Sequence, residues 1–266
     1  VLDMEAVRAA LRADTTLVSI MHVNNETGVI QDIAAIGAMC RERGIAFHSD
    51  AAQSADRLPL NAGTLSVDFL SFTAHKLYGP AGIGALYVRR ASRPFLQAVS
   101  FGGGQERGLR PGTLPTHQII GFGLACELAA DMRTKEQQRL AELSDRLWNG
   151  LRTLGGVHLN GEAAPRVPGI VNVSFEGVEG ESLVTGLTSL ALSTGSACNS
   201  RSGDASYVLR ALGRDAPLAQ SSLRFSLGRG TTAAEIDRAV ESVKQEVLRL
   251  RAVSPLSEVA DPAAAA

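Results

Sequence analysis

Lysine is scarce in this chain of 266 residues: Lys76, Lys135 and Lys244 are the only three. Lys135 in "RTKEQQ" and Lys244 in "SVKQEV" lie in charged helical stretches, where lysines sit on solvated faces. Lys76 sits in "SFTAHKLYGPAGIGALYV", between a β-rich run and a Gly/Pro turn, at a sheet's carboxyl edge where open α/β folds place their ligands. An amine there is partly desolvated and so a usable nucleophile, or else a lysine snorkelling from a strand end. Asp50 closes a second β-run, "GIAFHSDAAQS", with Gln53 three residues on. A lysine that forms an imine and a buried aspartate facing a protonated ring nitrogen are what a pyridoxal phosphate site asks of its protein. Alone, Asp50 reads equally well as the N-cap of a following helix. Thr73 and His75 beside the lysine offer hydroxyl and imidazole donors to a phosphate, although a lone histidine is more often structural. "NNETG", with Asn24 and Asn25, offers an amide to a phenolic oxygen, or forms a turn.

A second kind of chemistry lies in "ALSTGSACNSRSG", where Cys198 stands in a run of small polar residues and glycines that cannot bury it. A thiol placed so is accessible and free to react, or is an idle surface cysteine. Cys40 and Cys126 fall on apolar helical faces and read as small core residues. The three cysteines are far apart with no C-x-x-C pair, so neither a zinc cage nor a disulfide framework is indicated, which fits a reducing cytoplasm. Arg224, in "SSLRFSLGR", reads on its own as a surface charge.

These residues must be held by elements. "TTLVSIMHV" reads as a buried strand, "DIAAIGAMCRERG" as an amphipathic helix closed by Gly44, and "IAFHSD" as the next strand, an α/β alternation that implies a parallel sheet. "VDFLSFT" and "IGALYVRR" add two β-runs around a Gly/Pro turn, and two long helical stretches cover about 115 to 154. After Gly156 come short strands, "VHLNG" and "GIVNVSFEGV", then "GESLVTGLTSLAL", the Cys198 loop and the strand "SSLRFSLGR", which together read as a smaller α+β domain. Its last helix opens with Thr232 and Glu235 as a capping box and carries Ile236, Val240, Val243, Val247 and Leu250 as a core stripe. The expected organisation is a partial cofactor-binding domain over 1–130, a small domain over 131–252 with the cysteine loop, and a flexible tail over 253–266. A net charge of −1 gives no basic field for nucleic acid or an anionic membrane, and no apolar run approaches the roughly 20 residues of a spanning helix. The start lacks an initiator Met, a signal peptide's apolar core and transit character, so it reads as the middle of something.

Taken in order, "MHVNNETGVIQDI", "HSDAAQS", "SFTAHKLYGPAGIGALYVRR", "GGGQERGLRPGTLP", "STGSACNSRSG", "YVLRALG" and "SSLRFSLGR" resemble the cysteine desulfurases of the iron–sulfur assembly and nitrogen-fixation type. These are class V aminotransferase-like, fold-type I pyridoxal phosphate enzymes. The similarity runs over about 1 to 256. It implies an α/β fold with a mostly parallel sheet in a partial large domain, plus a smaller C-terminal α+β domain. By match to the family's motifs, Lys76 is the Schiff-base lysine, and Asp50 and Gln53 partner the ring nitrogen and the phenolic oxygen. Asn25 stands near that oxygen and the substrate carboxylate, Thr73 and His75 contact the phosphate, and Thr113 in "RPGT" reaches the phosphate of the other subunit of a homodimer. Arg224 grips the α-carboxylate of L-cysteine, a task suited to a bidentate fork. Cys198 takes the substrate's sulfur as a persulfide and alanine is released. The resemblance implies no resident metal; a transient contact with an iron–sulfur centre through the Cys198 persulfide is the one it allows.

"YVLRALG" and the length of the cysteine loop favour the iron–sulfur-assembly branch, with a scaffold or sulfur-carrier protein as acceptor. Family chains carry a sizeable segment before the point where this chain starts, so the resemblance implies an N-terminal truncation. The acidic, alanine-rich tail departs from the family's scaffold-binding end. Two other readings stay open: a catalytically silent remnant that keeps its dimer and partner surfaces, and a related class V lyase or aminotransferase, which would not need Cys198.

Overall fold

The computed structural model describes residues 1–193 and 205–254. Cys198 and the tail after Ser254 lie outside the described residues. The elements are α1 (Met4–Ala10), β1 (Leu17–Met21), α2 (Ile33–Glu42), β2 (Ala46–Asp50), β3 (Phe69–Thr73), β4 (Gly84–Val88), α3 (Thr116–Leu151), β5 (Val157–Leu159), β6 (Ile170–Phe175), α4 (Gly180–Gly186), α5 (Tyr207–Ala211), α6 (Ala216–Gln220), β7 (Ser222–Ser226) and α7 (Ala233–Val253), with short 3-10 turns between some of them. They form two compact units, one of Val1–Asn24 and Ile30–Thr134, the other of Asn25–Val29 and the chain from Lys135 onward.

The first unit holds a four-stranded sheet in the order β1-β2-β3-β4. β1, β2 and β3 are parallel; β4 returns antiparallel to β3, so the sheet is mixed rather than purely parallel. The reason is local: the short 74–83 connection is a tight turn, and a parallel partner would need a crossover of a dozen or more residues. α2 starts at Asp32, whose carboxylate accepts the Ala35 N–H, and ends just before Gly44 at φ 68°. Its Ile33, Ile36 and Cys40 pack with Phe47, Val67 and Leu70, which bury Val18, Ile20 and Phe72 in part. That face carries the even positions of β1 and β3 and the odd positions of β2. The other face is more open: Leu17 and Leu86 are each 52% exposed, and at its centre His48 bridges Ser19 and Ser71. β1 is therefore only half-buried, not a fully buried strand. Among the described residues, α2 and its neighbours cover one side alone.

The stretch expected to form two helices is the single helix α3. It contains no proline to break it, and a long run of strong helix formers carries it past Gly121 and Gly123.

The second unit is built on the antiparallel sheet β5-β6-β7. Period-2 alternation sorts its residues. Val171, Val173, Phe175, Leu223 and Phe225 face a core completed by Leu140, Leu143, Leu147 and Leu151 of α3 and by Ile236, Val243, Val247 and Leu250 of α7. Thr232 and Glu235 close the predicted capping box of α7. The opposite face is polar and also buried, with Asn160, Asn172, Ser174 and Ser222 fully enclosed. Residues 25–29 pack in this unit: Gly28 takes φ 75°, its carbonyl accepts the Val167 N–H at 2.9 Å, and a Cβ on it would meet Ile170 Cβ at 3.1 Å. Glycine is required there twice over, by backbone conformation and by space.

Candidate active site

In the first unit, the parallel strands β2 and β3 end side by side, with Asp50 in register with Ser71. Thr73 is the last residue of β3, and the chain then folds into a 3-10 turn, Ala74–Leu77, that carries His75 and Lys76. Tyr78 closes the turn in the left-handed region at φ 63°, a conformation that costs a non-glycine residue energy and persists where the surroundings impose it. Ala74 and Leu77 are buried beneath the turn, so His75 and Lys76 are turned outward and exposed. The unit alone therefore does not desolvate the amine.

Asp50, Gln53, Thr73, His75 and Lys76 thus gather at one sheet edge. No helix follows Asp50, so the N-cap alternative fails: its Oδ1 accepts the Ala52 N–H at 2.8 Å within a turn, and the side chain stays exposed. Gln53 is half-buried, and its carbonyl and Oε1 both accept from Arg57 Nη1, at 3.1 and 3.4 Å. Thr73 Oγ1 lies 2.9 Å from His75 Nδ1 and also bonds the Ile83 carbonyl at 3.3 Å, which fixes the hydroxyl and imidazole as a pair. Thr113 belongs to the same unit but lies in the exposed loop before α3.

Two histidines near this edge escaped the sequence reading. His22 follows β1, is buried, donates its backbone N–H to the Asp50 carbonyl at 2.9 Å, and has no partner for Nδ1. Burial pushes its imidazole toward the neutral form. His48 shares a face with Asp50 on β2; its Nδ1 lies 2.8 Å from Ser19 Oγ and its Nε2 3.0 Å from Ser71 Oγ. Burial lowers its pKa, against the pull of the Asp50 charge. The strand period, which puts positions 48 and 50 on one side, was the signal for it.

The second unit brings Arg224 and Asn25 together. Arg224 Nη1 donates to the Asn25 carbonyl at 3.0 Å, its backbone N–H donates to the Ser193 carbonyl at 2.7 Å, and its buried Nε has no partner. It is half-buried and held from two sides, not a free surface charge. Beside Asn25, the buried Glu26 accepts from Ser206 Oγ at 2.6 Å, and Ser206 caps α5. The segment with Cys198 runs between Ser193 and Ser206, both of which are anchored within this unit. Cys40 is fully buried and Cys126 half-buried, and burial pushes both thiols up, so both are poor nucleophiles. Among the described residues no group of three or more His, Cys, Asp or Glu could hold a metal ion, and no helix is long and apolar enough to cross a membrane.

The sequence profile of the family described as aminotransferase class-V matches residues 1–239. A cysteine desulfurase IscS from Pectobacterium atrosepticum is 58% identical over 259 residues, which is 97% of this chain and 64% of that protein. The chain thus spans about 64% of the length of the curated relatives it matches. Among solved structures, a NifS-like protein from Rickettsia africae superposes with a TM-score of 0.81 at 30% identity, covering 91% of this chain and 64% of that one. A structure of SspA in complex with cysteine gives 0.72 at 36% identity, covering 85% of this chain and 62% of that one.

Proposed function

Because this chain belongs to the class V aminotransferase family, we propose that it carries the cofactor lysine and the sulfur-accepting thiol of a pyridoxal phosphate-dependent cysteine desulfurase. Its fold is the class V aminotransferase fold, with a mixed, mostly parallel sheet and helices. The observation that carries the reading is the meeting of Asp50, Gln53, Thr73, His75 and Lys76 at the carboxyl edge of two adjoining parallel strands. As a donor set they fit pyridoxal phosphate: an outward primary amine for its aldehyde, a carboxylate for its ring nitrogen, an amide, and a paired hydroxyl and imidazole for its phosphate. The relatives named cysteine desulfurase support the choice of reaction.

When bound, the cofactor supplies an electron-withdrawing ring that weakens bonds at the α-carbon of an amino acid. Lys76 would hold it covalently, and its amine is the group that would move a proton at the substrate's α-carbon. Asp50 would keep the ring nitrogen charged, Gln53 and Asn25 would offer amides to its phenolic oxygen, with Asn25 also near the substrate carboxylate, and Thr113 would reach the phosphate in the other subunit of a homodimer. Arg224 orients L-cysteine by its carboxylate. The Cys198 thiolate attacks the substrate's sulfur; the carbon–sulfur bond breaks, its electron pair stays on carbon, and protonation there gives L-alanine. The sulfur remains on Cys198 as a persulfide for an iron–sulfur scaffold or sulfur-carrier protein, and the setting is the cytoplasm.

The full natural chain, loaded with pyridoxal phosphate and given L-cysteine and a thiol reductant, should release alanine and sulfide in equal amounts. Asp50→Ala should keep the cofactor attached yet lose turnover by about a hundredfold or more, because the ring nitrogen loses its counter-charge. Absence of alanine from the wild type would refute the desulfurase reading, whereas undiminished turnover in the variant would remove Asp50 from its role.

A further inference from the structure

The polar face of the second unit's sheet carries a hydrogen-bond chain whose directions are all determined. Arg214 Nε, which can only donate, gives its proton to Asn160 Oδ1 at 2.8 Å. That fixes the orientation of the Asn160 amide, so its Nδ2 is the donor to Asn172 Oδ1 and to Ser174 Oγ, both at 2.7 Å. Ser222 Oγ donates to the Leu218 carbonyl at 3.0 Å, so Ser174 donates to Ser222 across 2.6 Å. Asn172 therefore spends its oxygen inside the chain and has its Nδ2 left over.

That Nδ2 is buried and has no partner, on a residue with no exposed surface at all. In the β6–β7 register Asn172 stands directly opposite Arg224, so the two side chains leave the sheet on the same face. The Arg224 Nε is the other buried donor left without a partner in this sheet. Leaving two neighbouring donors unsatisfied is costly for a folded chain, and what they lack is an acceptor. A carboxylate supplies two acceptor oxygens and the negative charge that a guanidinium calls for.

We propose that Asn172 is a further carboxylate-binding residue beside Arg224, in addition to Asn25, its Nδ2 donating to one oxygen of the amino-acid substrate's α-carboxylate. The assignment rests on the desulfurase reading and extends it to a further residue that, with Arg224, distinguishes an amino acid from the corresponding amine. Asn172→Asp keeps an oxygen to accept from Asn160 but turns the free donor into a charged acceptor that competes for Arg224. Asn172→Ser keeps a hydroxyl for Asn160 and loses the reach.

The test compares KM for L-cysteine with the inhibition constant of cysteamine, which has the same thiol and amine without the carboxylate, on the cofactor-loaded full natural chain. Both variants should raise KM for cysteine about tenfold or more, with the loss falling on KM rather than kcat, while the cysteamine constant moves less than about threefold. If both variants fold, by melting temperature, and keep the wild-type preference for cysteine over cysteamine, the Asn172 assignment is overturned while the desulfurase reading stands. A wild type that neither turns over cysteine nor is inhibited by cysteamine overturns both.

Discussion

Lys76→Ala abolishes covalent capture of pyridoxal phosphate by the full natural chain. Borohydride reduction followed by peptide mass spectrometry should find the cofactor's mass on the peptide with Lys76 in the wild type and on no peptide in the variant. The other lysines are unsuited to it: Lys135 lies on α3 and Lys244 on α7, in charged helical stretches remote in sequence from the sheet edge that gathers Asp50, Thr73 and His75. Turnover should fall by about a thousandfold or more, since the variant loses both the attachment and an amine able to move a proton. Cofactor found on Lys135 or Lys244, or undiminished turnover, would mean that the wrong lysine has been assigned. The variant should fold, because the side chain is exposed and the turn rests on Ala74 and Leu77.

Cys198→Ser has a comparable effect on a different step. The variant should bind cofactor and L-cysteine as the wild type does, because none of the residues assigned to those tasks is altered, but alanine and sulfide release should drop by at least about a hundredfold. A hydroxyl is a poor nucleophile toward sulfur and is not ionised at neutral pH, whereas a thiol partly is. Quantifying alanine by chromatography after a fixed time checks this. Turnover close to wild type would show that another group receives the sulfur.

Much of the frame was legible because it is written in short-range signals. β2 and β3 are apolar runs bounded by turn residues, Asp32 and Gly44 bracket α2, and Thr232 and Glu235 announce α7. The residues brought to the first unit's sheet edge were also readable, since each lies at or just past the end of a strand. What escaped depends on contacts between distant parts of the chain. That Asn25 belongs with Arg224 is set by residues 25–29 packing on the second unit's sheet, through Gly28 against Ile170, which no local pattern encodes. Glu26 looked like part of a turn until Ser206, 180 residues on, proved to be its partner. Asn172 was not singled out: "GIVNVSFEGV" reads only as a short strand, and it is the fixed amide orientations that show a donor left over there. The break expected in the helical stretch 115–154 did not occur, because glycine weakens a helix without ending it.

The persulfide is the centre of this account, and it can be observed directly. The full natural chain, loaded with pyridoxal phosphate, is given L-cysteine without reductant, its free thiols are capped, and its peptides are weighed. The added sulfur should appear on the peptide containing Cys198, with Cys40 and Cys126 unmodified, since burial encloses both in whole or part and holds their thiols in the protonated form. Sulfur found on Cys40 or Cys126 instead, or alanine formed with no sulfur on Cys198, would contradict the account.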